Sequence, residues 1–290
     1  MQPNVKKVAA LHDLSGFGRS SLTCIIPTLS AMGIQVCPIP TAILSTHSGG
    51  FDDYVFHDLT PIMLDCAAHW KRLGLVFDGV YSGFLGSPAQ AAIVSRIIND
   101  FRQPQTLVVV DPVMGDNGAL YISVQPEMVA EMRRLIGQAD IITPNITEAA
   151  LLLDRPVPEA MSLEEVKEWL RALAAMGPHT VVITSMPEQS AHGYVTTVAY
   201  ERDFNHFWKV PSRHLPCFYP GTGDLFASVM TGCLLQGESL PVAIERSVQF
   251  IFQCIQASRS YDYPGRDGVL LEKCLHLLQE SCLIYNYEEF

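Results

Sequence analysis

The sequence of 290 residues is poor in basic side chains and has neither long apolar runs nor closely spaced cysteine pairs. Its 19 lysines and arginines stand against 30 aspartates and glutamates, and the net charge of −11 argues against binding the phosphate backbone of nucleic acids. Nowhere do 18 apolar residues follow one another, so no membrane-spanning helix is predicted, and the first 16 residues predict no secretion signal. The eight cysteines are dispersed without a C-x-x-C motif, which indicates reduced, buried thiols in a cytoplasmic protein.

Several motifs of nucleotide-binding and hydrolytic enzymes are also missing. The dipeptide Gly-Lys does not occur, which excludes a Walker A loop, and neither G-x-S-x-G nor H-E-x-x-H is present. The glycine cluster that begins at Gly16 departs from the dinucleotide fingerprint, because Ser21 stands at the third glycine position and no acidic residue follows at the required distance. We interpret this cluster as a turn that opens a helix, and such a turn can also present Asp13 to a ligand.

Short β-branched runs alternate with amphipathic stretches along most of the chain, and this order predicts an α/β fold. Several runs are apolar without alternation, as in buried parallel strands. No linker divides the sequence, so we expect one domain over residues 1–290 with a mostly parallel central sheet flanked by helices. The predicted strands lie near 5–11, 35–44, 79–83, 106–112, 140–143, 180–185 and 194–200, and the predicted helices near 20–32, 88–101, 126–137, 147–153, 162–176, 224–235 and 241–258, with a final helix in the tail 260–290.

Polar residues follow five of the predicted strands. In α/β sheets the ligand binds beyond the carboxyl ends of the strands, so these clusters are candidate site residues. Each of them alone is also a common turn signal. They are His12, Asp13 and Ser15; residues 45–50; residues 111–116; residues 143–148; and Thr184 with Ser185.

The strongest local signal is the sequence Gly221-Thr222-Gly223-Asp224 before an apolar helical pattern. Two glycines let the backbone approach a ligand, and the start of a helix offers free N–H groups and the positive end of its dipole. Asp224 stands where a carboxylate can accept the proton of an alcohol that attacks a phosphoryl group. The alternative is a plain aspartate cap on a buried helix.

Three carboxylates occur on two loops that follow predicted strands. Asp111 and Asp116 lie five residues apart, and Glu148 lies three residues after Asn145. Hard oxygen ligands of this kind suit Mg²⁺ that bridges nucleotide phosphates. Asn145 and Glu148 also fit a helix capping box, and the two interpretations are compatible.

Seven motifs in a fixed order resemble the pyridoxal kinase family within the ribokinase-like superfamily. The resemblance covers nearly the whole chain and implies a three-layer ribokinase-like sandwich. The motifs are HDLSGFGRSSL near the start, STHSGGF at 45–51, YSGFLGS at 81–87, DPVMGD at 111–116, ADIITPNITEA at 139–149, VVITS at 181–185 and PGTGDLFAS at 220–228.

The resemblance implies ATP-dependent phosphorylation of the 5′-hydroxymethyl group of pyridoxal, pyridoxine or pyridoxamine. It makes Asp224 the catalytic base and assigns the amides of Gly221, Thr222 and Gly223 to the charge on the transferred phosphoryl group. It further implies MgATP, K⁺ or Na⁺ as a second cation, and a homodimer.

The cation and ligand residues follow from the same resemblance. Asp111, Thr143 and Thr184 would surround the monovalent cation, and Asp116 and Glu148 would approach Mg²⁺. The substrate residues implied are Asp13 at a ring nitrogen or its neighbour, Ser48 at the ring 3-hydroxyl, and His47 and Phe84 along the ring pocket. The nucleotide residues implied are Tyr121, Asn145, Thr184 and Ser185.

Alternatives stay open at this point. The DLSGFG turn is also similar to the hydroxymethylpyrimidine kinases of thiamine synthesis, which phosphorylate a related hydroxymethyl heteroaromatic. A non-catalytic vitamer-binding protein on the same fold is a further alternative. The loop 46–57 either closes over the substrate as a lid or stays fixed on the surface.

Overall fold

The centre of the molecule is a ten-stranded, mostly parallel β-sheet. The computed structural model describes residues 5–187, 193–279 and 286–290, and the side chains of Ser185 and Pro187 lie outside this description. The strands are β1 (Lys7–Ser15), β2 (Gln35–Leu44), β3 (Phe56–Asp58), β4 (Gly79–Ser82), β5 (Leu107–Val110), β6 (Gly115–Asp116), β7 (Ala119–Leu120), β8 (Ile141–Ile142), β9 (Thr180–Pro187), β10 (Tyr194–Glu201), β11 (His206–Arg213) and β12 (Glu288–Glu289).

Eight α-helices connect these strands in the described part of the chain. They are α1 (Leu22–Ala31), α2 (Thr60–Arg72), α3 (Pro88–Phe101), α4 (Met128–Ile136), α5 (Ile146–Leu153), α6 (Leu163–Ala174), α7 (Thr222–Leu235) and α8 (Leu240–Ser258). The order in the large sheet is β12-β11-β10-β9-β8-β5-β4-β1-β2-β3, and β6 and β7 form a separate hairpin. The six strands from β9 to β2 pair in parallel, and the strands outside them pair antiparallel.

Helices cover both faces of the sheet, which confirms the predicted three-layer α/β architecture. The central strands are apolar along their length because they are buried on both sides, as β5 with the sequence LVVV illustrates. One apolar cluster joins the sheet to α2 through α6, and the other joins its opposite face to α1, α7 and α8. The start of α7 therefore lies over one face of the sheet.

All the predicted elements occur except the final helix, and the structure adds several more. All seven predicted strands and seven predicted helices are present near the expected positions, and Ser162 with Glu165 forms the expected capping box of α6. The helix α2, the strands β3, β11 and β12 and the β6–β7 hairpin were not predicted. The final helix expected over 260–290 is wrong: the described residues of this tail form three short 3₁₀ turns and the edge strand β12.

Two composition-based expectations can be compared with the described residues. None of the helices described is long and apolar enough to cross a membrane. The seven cysteines in this part of the chain are free thiols: four are buried, while Cys37, Cys66 and Cys217 are half-buried. Burial of the thiols is therefore less complete than the sequence predicted.

A buried amide fastens the loop that follows β4. Gln90 of α3 is fully buried, and its Oε1 accepts a hydrogen bond from the Gly86 N–H at 2.8 Å. Its Nε2 donates to the carbonyl of Thr41 at 2.8 Å and to the hydroxyl of Thr60 at 2.9 Å. The Thr41 hydroxyl in turn donates to the carbonyl of Phe84 at 2.9 Å. These bonds fix the loop that carries Phe84 against β2 and α2.

We expect Gln90→Leu to lower the free energy of unfolding by about 1–3 kcal/mol, because the Gly86 N–H would lose its acceptor and the Thr41 carbonyl would keep only the Leu59 N–H as a donor. The exposed Gln103 on the loop after α3 supplies the control: Gln103→Leu should change stability by less than about 0.5 kcal/mol. Urea denaturation of both variants is the measurement. Equal stabilities of the two would contradict this role of Gln90.

Candidate active site

The first turn of α7 forms the floor of the candidate site. Gly221 precedes the helix with φ of 81°, and a Cβ at this position would overlap the carbonyl oxygen of Arg19. A glycine is therefore required, and its contact brings the start of α7 against the turn that precedes α1. A Cβ added to Gly223 would meet no atom within 4 Å, so the space beside this first turn is open to a ligand. Free amides at the positive end of a helix dipole bind anions.

Asp224 in this first turn has the properties of a proton acceptor. The N–H of Ser21 donates to its Oδ2 at 2.7 Å. Burial raises the pKa of Asp224 to about 8, with smaller contributions in the same direction from Asp111 and Asp13, while the Ser21 N–H lowers it. A carboxyl group with a pKa near the working pH is suited to general base catalysis.

Asp111 and Thr143 lie at the ends of neighbouring strands on the face that carries α7. Val109 of β5 and Ile141 of β8 pack in the apolar cluster of α7, and residues two positions later share their side of the sheet. Burial raises the pKa of Asp111 to about 7, and the nearby Thr143 hydroxyl opposes this rise. That hydroxyl is buried and has no partner of hydrogen-bond geometry among the described residues.

A tyrosine on the central strand β4 supports the same helix start. The hydroxyl of Tyr81 lies 3.5 Å from the carbonyl oxygen of Asp224 and donates to it. The Tyr81 ring packs edge-on against His12, with ring centroids 4.3 Å apart. Burial lowers the pKa of His12 to about 3, so this ring is uncharged. Both residues are structural supports below Asp224.

The capping box at the start of α5 was predicted from spacing and is confirmed. The Oδ1 of Asn145 accepts the Glu148 N–H at 2.9 Å, and the Oε2 of Glu148 accepts the Asn145 N–H at 2.9 Å. The Oε1 of Glu148 accepts the Met114 N–H at 3.0 Å. The Asn145 side chain also donates to the carbonyl of Gly115 at 2.8 Å. The backbone of Asn145 forms an isolated parallel β-bridge with Thr184. The cap thus joins the loop after β5 to α5 and β9.

The Glu148 carboxylate is buried close to other acids. Burial and, after it, the charge of Asp111 raise the pKa of Glu148. Tyr121, which follows the β6–β7 hairpin, lies near the same group: partial burial and then Glu148, Asp116 and Asp111 raise its pKa. The carboxylate of Asp116 accepts the Asn117 N–H at 2.7 Å. These residues form one acidic region beside the start of α7.

The residues implied for the substrate lie on three segments. Asp13 is buried at the end of β1 and accepts the hydroxyl of Ser15 at 2.9 Å, and burial raises its pKa. Ser48 is half-buried in the loop after β2, and Phe84 is buried after β4. Asp13 therefore already has a hydrogen-bond partner within the protein.

His47 has both ring nitrogens engaged within the protein. Its Nε2 lies 2.7 Å from the carbonyl oxygen of Arg266, and its Nδ1 accepts the Gly49 N–H at 3.1 Å. Burial lowers its pKa. The guanidinium of Arg266 stacks over Phe51 at 4.7 Å and donates to the Gly50 carbonyl at 3.2 Å. His47 thus braces the loop, and only its ring carbons are free to contact a ligand.

The structure brings together most of the residues expected at the site. The charges of Asp111 and Asp13 raise the pKa of Asp224, and the charges of Glu148, Asp116, Asp111 and Asp224 raise the pKa of Tyr121. The side chain of Ser185 lies outside the described residues. Within residues 5–187, 193–279 and 286–290, no group of three or more His, Cys, Asp or Glu side chains is arranged to hold a metal ion.

Three contributors were missed from the sequence. Ser21 acts through its N–H and Arg266 through its carbonyl, and main-chain groups leave no signal in a sequence because nearly every residue has them. Tyr81 lies in the YSGFLGS motif, and its position on β4 before a polar cluster could have singled it out.

The chain was compared with known proteins. Residues 20–265 match the family model described as phosphomethylpyrimidine kinase. The pyridoxine/pyridoxal/pyridoxamine kinase of Bordetella avium is 31% identical over 92% of this chain and 92% of its own. Human pyridoxal kinase is 31% identical over 79% of this chain and 77% of its own.

Solved structures give the same result. A Bacteroides thetaiotaomicron protein assigned as a phosphomethylpyrimidine kinase and crystallised with pyridoxal is 52% identical, with a TM-score of 0.96 over 99% of this chain and 100% of its own. Pyridoxal kinase from Lactobacillus plantarum is 33% identical, with a TM-score of 0.86 over 95% of this chain and 97% of its own. The chain belongs to the pyridoxal kinase family of the ribokinase-like superfamily, and is a phosphotransferase.

Proposed function

We propose that this protein transfers the γ-phosphoryl group of ATP to the 5′-hydroxymethyl group of a vitamin B6 vitamer. The observation that carries the proposal is the half-buried Asp224 in the first turn of α7, where the space beside Gly223 is open to a ligand. Support for the substrate comes from the relatives named as pyridoxal kinases and from the 52% identical structure with pyridoxal. Support for the nucleotide includes the ADP complex of Leishmania donovani pyridoxal kinase.

The reaction is an in-line displacement in which the protein mainly positions and stabilises charge. Asp224 accepts the proton of the substrate hydroxyl while the hydroxyl oxygen forms a bond to the γ-phosphorus. The bond from that phosphorus to the bridging oxygen breaks, and ADP leaves. The amides of Gly221, Thr222 and Gly223 stabilise the negative charge on the phosphoryl oxygens, as free N–H groups at a helix start do.

The acidic region is chemically suited to two cations. No lysine or arginine is among the groups that set the pKa of Asp111, Glu148 or Asp224 in the described residues. Asp111 with the unpartnered Thr143 hydroxyl and with Thr184 fits K⁺ or Na⁺. Asp116 and Glu148 fit Mg²⁺ through water, because the Glu148 oxygens already accept backbone N–H groups. When bound, Mg²⁺ would neutralise charge on the ATP phosphates.

The remaining assignments follow the family resemblance. Asp13, Ser48, His47 and Phe84 contact the vitamer ring, and His47 does so with its ring carbons because both nitrogens have partners. The nucleotide lies along the outer side of the acidic region. Its contacts are Tyr121, Asn145, Thr184 and Ser185.

Assembly and location belong to the same proposal. The protein is a single kinase domain that works in the cytoplasm as a homodimer. The edge pair β2–β3 supports the dimer, since Ile43 is 45% exposed, Val55 68% and Phe56 38%. Exposed apolar patches of this kind favour association.

A hydroxymethylpyrimidine kinase is the second candidate, favoured by the description of the matching family model and by the assignment of the Bacteroides protein. An ADP-release assay with MgATP and K⁺ across pyridoxal, pyridoxine, pyridoxamine and hydroxymethylpyrimidine separates the two. We expect the highest kcat/KM for a B6 vitamer. A clear preference for hydroxymethylpyrimidine would replace the proposed substrate, and no turnover of any of the four would overturn the proposed function.

Replacing the base tests its role. We expect Asp224→Asn to leave vitamer affinity within a few-fold and to lower kcat by about 10²–10⁴-fold, the usual contribution of a general base. Titration calorimetry and steady-state kinetics give the two quantities. Asp65→Asn, on the exposed side of α2, is the control and should have the vitamer affinity and the kcat of the unchanged protein. Turnover near normal in Asp224→Asn would remove the assigned role.

The buried Asp111 predicts how stability without cations depends on pH. Its pKa is about 7 in the folded protein and 3.8 as an unperturbed group, so folding favours the protonated form. Stability should therefore decrease as pH rises from about 4 to about 7, and a bound cation should restore it. We expect Asp111→Asn to flatten this decrease in Tm and to abolish most of the rise in Tm on adding K⁺.

Thermal unfolding after chelation, at pH 5 and pH 8 and with or without K⁺, measures both effects. Asp65→Asn serves again as the matched control, because its carboxylate is exposed. A K⁺ response in Asp111→Asn equal to that of the unchanged protein would contradict the cation site.

A further inference from the structure

Ser21 lies between two carboxylates of the site, at the residue that precedes α1. Its N–H donates to Oδ2 of Asp224 at 2.7 Å. Its hydroxyl acts on the carboxylate of Asp13 and favours the charged form of that group. Ser21 itself is only 5% exposed. One buried residue therefore binds the proposed base through its N–H and acts electrostatically on a proposed substrate contact.

The backbone of Ser21 is held in an unusual conformation. Its φ is 47° and its ψ is −131°. The other non-glycine residues with positive φ in the described chain are Asp53, Asn117, Asp154 and Asn205. Aspartate and asparagine tolerate this region through local hydrogen bonds, whereas serine rarely adopts it. Strained residues that the surrounding structure maintains are concentrated at functional sites.

This strained φ has a direct geometric effect on Asp224. Rotation about φ turns the N–H of a residue relative to the chain that follows it. The carbonyl of Ser21 accepts the N–H groups of Cys24 and Ile25, both at 2.9 Å, so the chain after it is fixed as the first turn of α1. With that side fixed, the value of φ determines where the Ser21 N–H points, and it points at Oδ2 of Asp224.

The bond leaves one oxygen of Asp224 available. No described residue donates a hydrogen bond to Oδ1 of Asp224, whereas Oδ2 has the Ser21 N–H. A carboxylate with one oxygen fixed by an amide can rotate little, so its second oxygen keeps a constant direction. That second oxygen is free to accept the proton of a substrate hydroxyl.

We propose that Ser21 is a positioning residue for phosphoryl transfer: its strained backbone directs an N–H to Oδ2 of Asp224, and its hydroxyl, on the side of Asp13, helps to maintain that backbone. The inference rests on the proposed function, in which Asp224 is the base. The Ser15 hydroxyl donates to Oδ2 of Asp13 at 2.9 Å, so the Asp13 carboxylate is itself held in place. Ser21 thereby links the substrate contact to the base.

Two substitutions separate the hydroxyl from the strain. Ser21→Gly removes the hydroxyl and accepts positive φ without strain, so its Tm should equal or exceed that of the unchanged protein. Ser21→Ala removes the hydroxyl and keeps the strain, so its Tm should fall. We expect kcat to decrease at least tenfold in both, with KM for ATP within twofold. The neighbouring Ser20→Ala is the control, because the buried Ser20 hydroxyl has no hydrogen-bond partner among the described residues.

The measurements are Tm and steady-state kinetics with the B6 vitamer or pyrimidine that the unchanged protein phosphorylates best. A kcat within twofold of normal in Ser21→Gly would overturn the inference, and so would a loss confined to KM. A tenfold loss of kcat at undiminished Tm supports the inference, because a residue with a purely structural role would lower kcat only if it also lowered Tm.

A crystal structure of Ser21→Gly distinguishes failure of this inference from failure of the proposed function. If the unchanged protein phosphorylates none of the alcohols tested, the proposed function fails, and the orientation of Asp224 in the variant decides the inference by itself. A rotated Asp224 carboxylate supports the role of Ser21. An Asp224 carboxylate still bonded to the N–H of residue 21 contradicts it.

Discussion

The close contact between Gly221 and the backbone of Arg19 determines the rest of the site. A side chain at residue 221 would overlap the Arg19 carbonyl oxygen, so only glycine lets α7 start against the turn before α1. This contact brings Asp224 within hydrogen-bond distance of the Ser21 N–H and leaves open space beside Gly223. The proposed anion binding and the proposed role of Asp224 as base both depend on it.

Electrostatics around this contact explain how an acidic protein can handle a polyphosphate. Burial raises the pKa of Asp111 to about 7 and that of Asp224 to about 8, because no described cationic side chain compensates their charge. Bound cations would supply that compensation. The net charge of −11 is therefore compatible with the proposed function, in which backbone amides and metal ions bind the phosphates.

Local sequence patterns predicted the buried strands and most helices better than they predicted helix α2, the edge strands of the sheet and the C-terminal tail. The buried parallel strands stood out as apolar runs, and the Asn145–Glu148 capping box followed from a spacing of three residues. Helix α2 was missed because it buries only Met63 and Ala67 and so lacks a clear apolar stripe. Strand β11 contains Pro211 and polar residues, which an antiparallel strand near the sheet edge accepts. The tail is irregular because β12 pairs with β11 instead of continuing a helix.

The sequence by itself determined the fold class, the order of the elements and the identity of the acidic and glycine residues at the strand ends. These features are local, because burial periodicity, caps and turn residues act within a few positions of the chain. Only the tertiary structure decided which main-chain groups serve the site: the Ser21 N–H at Asp224 and the Arg266 carbonyl at His47. The partners of these bonds lie 203 and 219 residues apart, and backbone groups are the same at every position, so no sequence pattern can reveal them.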